Sequence, residues 1–128
     1  MKKVILSIKP EFVEKILNGE KKFEYRKVIF KDTEVKKVLI YASAPISKVV
    51  GEFKIKNILE GSPDELWIET SKKSGISYDY FSKYFKKRAK GYAIEIKRVK
   101  KYRKPIDIST FGMKAPQSFA YIKENKNK

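Results

Sequence analysis

Two long alternating runs, one of which slips phase partway, constrain this chain more than any other feature. Val49, Phe53 and Ile55 alternate with Val50, Glu52, Lys54 and Lys56, the two-residue period of a half-buried strand. Near Asn57 the phase slips, because Ile58 and Leu59 no longer fit the same alternation. A slip of that kind predicts a bulge or sharp bend, the device that lets a small sheet curl. The second run, GYAIEIKRVKKY from Gly91 to Tyr102, sets Tyr92, Ile94 and Ile96 toward a core. Between the runs lies helical sequence. An α+β chain is therefore expected, a small mixed β-barrel with helices at its mouth; an open α+β sheet shares the same pattern.

The remaining elements fit around those runs. Val4–Ile8 reads as a first strand, and Pro10 suits the first turn of a helix, where a missing N–H costs nothing. Phe12, Val13, Ile16 and Leu17 form that helix's apolar stripe, and Asn18 and Gly19 end it. KFEYRK reads as a second strand and Val38–Ser43 as an interior third. Ser62, Pro63, Asp64 and Glu65 carry a capping-box signature, opening a helix with Leu66 and Trp67 that Gly75 ends. Ser77 caps another short helix, in which Phe81 and Phe85, like Tyr80 and Tyr84, stand one turn apart and are expected to pack in the core, a base-stacking platform being the alternative. APQSFAYI, Ala115–Ile122, is expected as a closing strand. One domain over residues 1–122 and a frayed basic tail over 123–128 follow.

Composition limits the chemistry. Among 128 residues there is no Cys and no His, which removes thiolate and imidazole catalysis and the common zinc ligands. Acid–base work would fall to a carboxylate, Lys or Tyr; no cofactor and no metal is expected. Lys and Arg number 31 against 15 acids, a formal charge of +16, which favours a polyanionic partner, nucleic acid first. The charge is densest from Lys86 to Lys104. There Lys97, Arg98, Lys100, Lys101 and Arg103 would follow a phosphate backbone, with Tyr92 and Tyr102 as stacking surfaces. A Lys-guarded edge strand is the competing reading. No apolar run approaches the ~20 residues that span a bilayer, and the start, MKKVILSIKPEF, lacks a cleavage site, so a cytoplasmic protein is expected.

One segment concentrates the chemistry that remains. In GEKKFEYR, Gly19–Arg26, alternation sends Phe23 and Tyr25 to one face and Glu24 and Arg26 to the other, with Lys21 delivered to the strand's entrance. Two cations and one acid then converge, a pattern suited to a phosphate-bearing ligand. A salt-bridged strand surface gives the same spacing.

Gly19, Lys21, Glu24 and Arg26 match the G-x-K-x-x-E-x-R signature, and with SIKPEFVEKIL, IYASAP, VVGEF and PQSF the chain resembles the ASCH domain family, a branch of the PUA-like β-barrels, from Leu6 to Tyr121. The resemblance implies a cleft where the helix meets the barrel, lined by Lys21, Glu24 and Arg26. Lys9, Tyr41, Ser43, Gln117 and Ser118 occupy the other recurring polar segments and are placed in the same cleft, although core filling suits Tyr41 better. Some bacterial ASCH-like proteins remove an acetyl group from acetylated cytidine with a Lys and a Thr. Lys21 stands at the position of that Lys, but Glu24 replaces the Thr, and a carboxylate held between cations makes a better hydrogen-bond acceptor than a base.

The resemblance therefore implies a nucleic-acid-binding module, RNA before DNA, which reads a nucleotide or modified base in the cleft; a free nucleotide or modified nucleoside is a further candidate ligand. The alternatives are a nucleoside amidohydrolase or ribonuclease with Lys21 and Glu24 as catalytic candidates, and a protein-interaction module of transcription or translation. Neither the ligand nor the oligomeric state can be read from the sequence.

Overall fold

Alternating residues at the start of the chain form β1 (Lys2–Ile8) in the computed structural model, which describes residues 1–123. Pro10 occupies the first turn of α1 (Pro10–Leu17), whose buried stripe is Val13 and Ile16. Gly19, at φ +89°, turns the chain out of the helix, a conformation that glycine adopts without steric cost. Then come β2 (Phe23–Arg26), β3 (Val35–Ala42) and β4 (Lys48–Gly61). An insertion follows, made of α2 (Pro63–Thr70), a 3₁₀ turn (Ser71–Lys73) and α3 (Tyr78–Tyr84). The chain returns through β5 (Gly91–Ile106), a second 3₁₀ turn (Ile108–Phe111) and β6 (Phe119–Tyr121).

The strands make one sheet in the order β2-β5-β4-β3-β1-β6. Its pairs are antiparallel except for β1 and β3, which run parallel because α1 and β2 form the crossover between them. The sheet curls into a half-barrel, the mixed α+β architecture that the alternating runs predict. The phase slip at Asn57 is a real irregularity: from Ile55 to Asn57 two steps of β4 face a single step of β5, Ile96 to Glu95. β3 is interior, as its two apolar faces require, with Val38 and Ile40 on one side and Leu39 and Tyr41 on the other.

Three apolar clusters hold these layers. The largest joins Val4, Leu6, Ile8, Val13, Ile16, Val38, Ile40, Phe53 and Ile94 between sheet and α1. A second, Tyr25, Leu66, Phe81, Phe85 and Ala93, seats the helical insertion on β2 and β5. The third, on the sheet's other face, gathers Ile5, Leu39, Tyr41 and Val49 under Tyr102, Ile106, Ile108 and Phe111. Phe81 and Phe85 are thus core residues, as their spacing predicts.

Local signals fix the insertion. Ser62 accepts from Glu65 N while the Glu65 carboxylate accepts from Ser62 N, the reciprocal capping box expected at α2, and Ser77 accepts from Tyr80 N to cap α3. α2 stops at Thr70 rather than at Gly75. The closing strand is shorter than Ala115–Ile122: the ladder with β1 spans Phe119–Tyr121, since Pro116 has no N–H to give and Ser7 holds the preceding segment through Ser118 O and Pro116 O instead. Nor is Tyr102 a stacking surface, because its hydroxyl donates to Glu52 Oε1 at 2.8 Å and its ring packs in the third cluster. The expected frayed tail falls, beyond Lys123, outside the described residues.

Candidate functional site

The two ends of the half-barrel meet across a seam, and the side chains that close it are those of β2. Arg26 Nη1 donates to Ser7 O on β1 at 3.3 Å, and Nη2 donates to Ser118 Oγ, just before β6, at 2.6 Å. The same Nη1 pairs with Glu24 Oε2 at 3.1 Å. Both partners are nearly buried, Glu24 at 6% and Arg26 at 8% exposure, so this ion pair is not the solvated strand surface that the spacing allows. No described residue donates to the other Glu24 oxygen, and no fully buried side-chain polar atom among them lacks a partner. Glu24 Oε1 is therefore not fully buried, and it faces the cleft as a hydrogen-bond acceptor.

Lys21 departs from the expected arrangement. Its ammonium does not bridge to Glu24. It lies at 1% exposure between the rings of Tyr25 and Phe12, 4.8 and 5.4 Å from their centroids, and donates to Ser74 O at 2.9 Å. Burial lowers its pKa to about 8, against the opposing pull of the Glu24 charge, with Lys15 lowering it further. Ring faces and one carbonyl compensate an ammonium less well than water does. Nearby, Lys15 Nζ donates to Gly75 O and Lys22 N to Lys73 O, so three consecutive carbonyls of the insertion are held by the segment around α1 and β2.

These groups lie in a cleft of about 630 Å³ whose lining includes Lys9, Lys21, Glu24, Arg26, Ser43, Gln117 and Ser118. Tyr41 is the exception. Its position on β3 points it into the third apolar cluster, across the sheet from the cleft, because one residue's shift along a strand changes the face. Lys97, Arg98, Lys100, Lys101 and Arg103 are exposed on β5 and contribute nothing to the cleft's lining.

The cations and rings at the mouth include Lys9, which the resemblance placed in the cleft, and four residues not assigned to it from the sequence, Lys27, Tyr80, Tyr84 and Arg88. Tyr80 and Tyr84 on α3 lie at an interplanar angle of 13°, centroids 6.5 Å apart. Lys9 Nζ sits 5.3 Å from the Tyr80 ring and Lys27 Nζ 4.7 Å from the Tyr84 ring; Arg88, Phe12 and Phe119 complete this wall. The neighbouring Tyr80 hydroxyl raises the pKa of Lys9, and burial raises that of Tyr84. The one-turn spacing of the tyrosines was the available signal. Packing is the simpler meaning of that spacing, because nothing in the sequence says that α3 turns one edge to the core and the other to a cleft. The cleft thus presents stacked rings and cations at its rim, and a carboxylate acceptor on its lining.

The half-barrel, the seam and the capping helices define an ASCH domain of PUA-like fold. The chain belongs to the family described as "Domain of unknown function (DUF365)", whose model matches residues 1–123. Its fold superposes on the crystal structure of ASCH from Zymomonas mobilis with a TM-score of 0.88 and 25% identity, over 96% of this chain and 89% of that one. Among curated proteins it is 25% identical to an ASCH domain-containing ribonuclease of Z. mobilis, over 98% of this chain and 87% of the relative. It is also 36% identical over 100 residues to the large ribosomal subunit protein uL22 of Ureaplasma parvum, a match covering 75% of this chain and 32% of the relative. The chain thus spans about a third of the length of that ribosomal relative.

Proposed function

We propose that this protein binds RNA and takes one unpaired nucleotide into the cleft. The observation that carries the reading is the nearly buried Glu24–Arg26 pair on the lining of the cleft, because a carboxylate acceptor held in a cleft selects a ligand that brings a donor. An exocyclic amino group of a base supplies that donor. Tyr80 and Tyr84 offer faces for stacking, Lys9, Lys27 and Arg88 on the cleft's lining supply cations for flanking phosphates, and Gln117 has both a donor and an acceptor for a base edge. Similarity to a protein named a ribonuclease and to a ribosomal protein supports RNA over DNA. In fluorescence anisotropy with a single-stranded RNA, Glu24→Gln is expected to weaken binding at least tenfold while circular dichroism stays unchanged. Equal affinity of the two proteins would refute the reading.

A second reading, hydrolysis of RNA or of a modified nucleoside, is favoured by the relative named a ribonuclease and by Lys21, whose pKa of about 8 leaves an appreciable fraction of neutral amine near neutral pH. Lys21→Met would then abolish turnover in a folded chain. Among the described residues no three acidic side chains group as metal ligands, so the assay includes arms with and without magnesium. No product from RNA or acetylated cytidine in either arm removes this reading.

A further inference from the structure

The C-terminal half of β5 has a side-chain rhythm that a regular strand lacks. Ile96, Val99, Tyr102 and Ile106 turn inward to varying depth, and between them stand exposed cations in pairs: Lys97 and Arg98, Lys100 and Lys101, Arg103 and Lys104. The cause lies in the ladder. Two steps of β4 from Glu52 to Lys54 face three steps of β5 from Lys100 to Lys97, and two from Val49 to Gly51 face five from Ile106 to Lys101. The surplus residues bulge out, with Arg98 at φ +52°. Strict alternation would send every second cation toward the sheet's covered face; the bulges keep all six exposed.

The acids on the strands beside this ridge are already engaged, and Glu11 and Glu14 of α1, which face Lys101 and Arg103 across a groove, make no ion pair with it among the described residues. Glu52 pairs with Lys37 at 2.9 Å and accepts from Tyr102, and Glu95 pairs with Lys56 and accepts from Asn57. Among the described residues none of the six ridge cations is in an ion pair. The ridge is also separate from the cleft. α1 stands between them, with Lys9 and Phe12 at the cleft's edge and Glu11, Glu14 and Leu17 across a second groove from Lys101 and Arg103.

We propose that this ridge docks the phosphate backbone of double-stranded nucleic acid without regard to sequence. The inference does not depend on the reading of the cleft. Proteins that hold single strands combine cations with aromatic faces on which bases stack, and the only ring on the ridge, that of Tyr102, is turned in and bonded. A flexible strand fixed by charge alone would lose its conformational freedom with no stacking in return. A duplex arrives with its phosphates already in rows. At ~3.3 Å per residue, Lys97 to Lys104 extends at most about 23 Å, against the ~3.4 Å rise of each base pair, so the ridge matches a stretch of roughly six or seven pairs.

The test uses the full chain and a blunt RNA or DNA duplex of about 20 base pairs, which offers no unpaired nucleotide to the cleft. Affinity followed by anisotropy should fall with salt on a log–log slope of about −5, from ~0.9 per neutralised phosphate. The triple change Lys97→Ala, Lys100→Ala and Lys101→Ala should flatten that slope by about 3 and weaken binding at least tenfold at ~0.1 M salt. The triple change Lys3→Ala, Lys72→Ala and Lys114→Ala, which alters net charge equally elsewhere, should move it little. Gln in place of Ala at the three ridge positions gives the same comparison should Ala perturb the strand. Equal losses in the two triple variants, or no duplex binding, would overturn the proposal. Failure of the cleft reading shows separately, as a duplex with an unpaired nucleotide binding no tighter than the blunt one.

Discussion

Arg26 and Lys21 are both buried cations of one short motif, yet they are balanced by different means. Arg26 spends its planar fork on a carboxylate, a carbonyl and a hydroxyl. Arg26→Ala leaves Glu24 buried and unpaired, with an expected loss of about 3 to 5 kcal/mol in urea unfolding; Arg26→Lys should recover only part, because a point charge cannot span three acceptors. Among the described residues Lys21 has no ion-pair partner, and its lowered pKa makes a pH prediction. Between about pH 8 and its ordinary value of 10.5, the unfolded chain keeps a proton that the folded chain releases, so Lys21 makes stability rise with pH across that interval. Its full size is about 3 kcal/mol. Above pH 10 the opposite contribution begins from Tyr25, whose hydroxyl burial pushes up to about 12. Urea titrations at pH 7.5 and 10 should show the wild-type chain gaining about 2 kcal/mol relative to Lys21→Met; parallel behaviour of the two would count against this account. Alternation was enough to bring Glu24 and Arg26 together on one face, but not to send Lys21 to Ser74 O instead of Glu24, since it says nothing of which carbonyl a long side chain reaches.

At the scale of elements, the insertion between β4 and β5 is latched to the motif through Gly75. A Cβ there would lie 2.5 Å from Lys21 Cβ, on top of a backbone at φ +69°. Gly112 has the same φ with nothing within 4 Å, which makes it the natural control. Gly112→Ala should cost about 1 to 2 kcal/mol from backbone strain alone, whereas Gly75→Ala should cost roughly twice that because Lys21 must also shift; similar thermal shifts for the two variants would remove the latch. The insertion's own helices were legible from Ser62, Glu65 and Ser77, whose caps act within one turn. The bulges of β5 were not, because a charge-rich run carries no apolar residue often enough to reveal a change of period. On β4, where Ile58 and Leu59 broke the alternation, the same kind of irregularity could be read directly.

Across the whole molecule, the curled sheet was readable because phase slips and a closing segment imply it, while of the cleft's rim only Lys9 was, since Lys27, Tyr80, Tyr84 and Arg88 join it from parts distant in the chain. Closure of the seam relies on few contacts near Ser118, so Ser118→Ala is expected to cost about 1 kcal/mol and to speed hydrogen exchange at Ser7 N, which donates to Ser118 O, and at the β6 amides. Unchanged exchange there would mean that the ladder with β1 holds β6 unaided. The seam has one further consequence. Every other junction between strands is a row of backbone bonds that opens only by unzipping, whereas β2 reaches β1 and the Ser118 segment through one guanidinium on a long, hinged stem. The circumference of the barrel is therefore set by a buckle rather than a weld, and a guest that competes for Arg26 would be expected to loosen the ring as it enters.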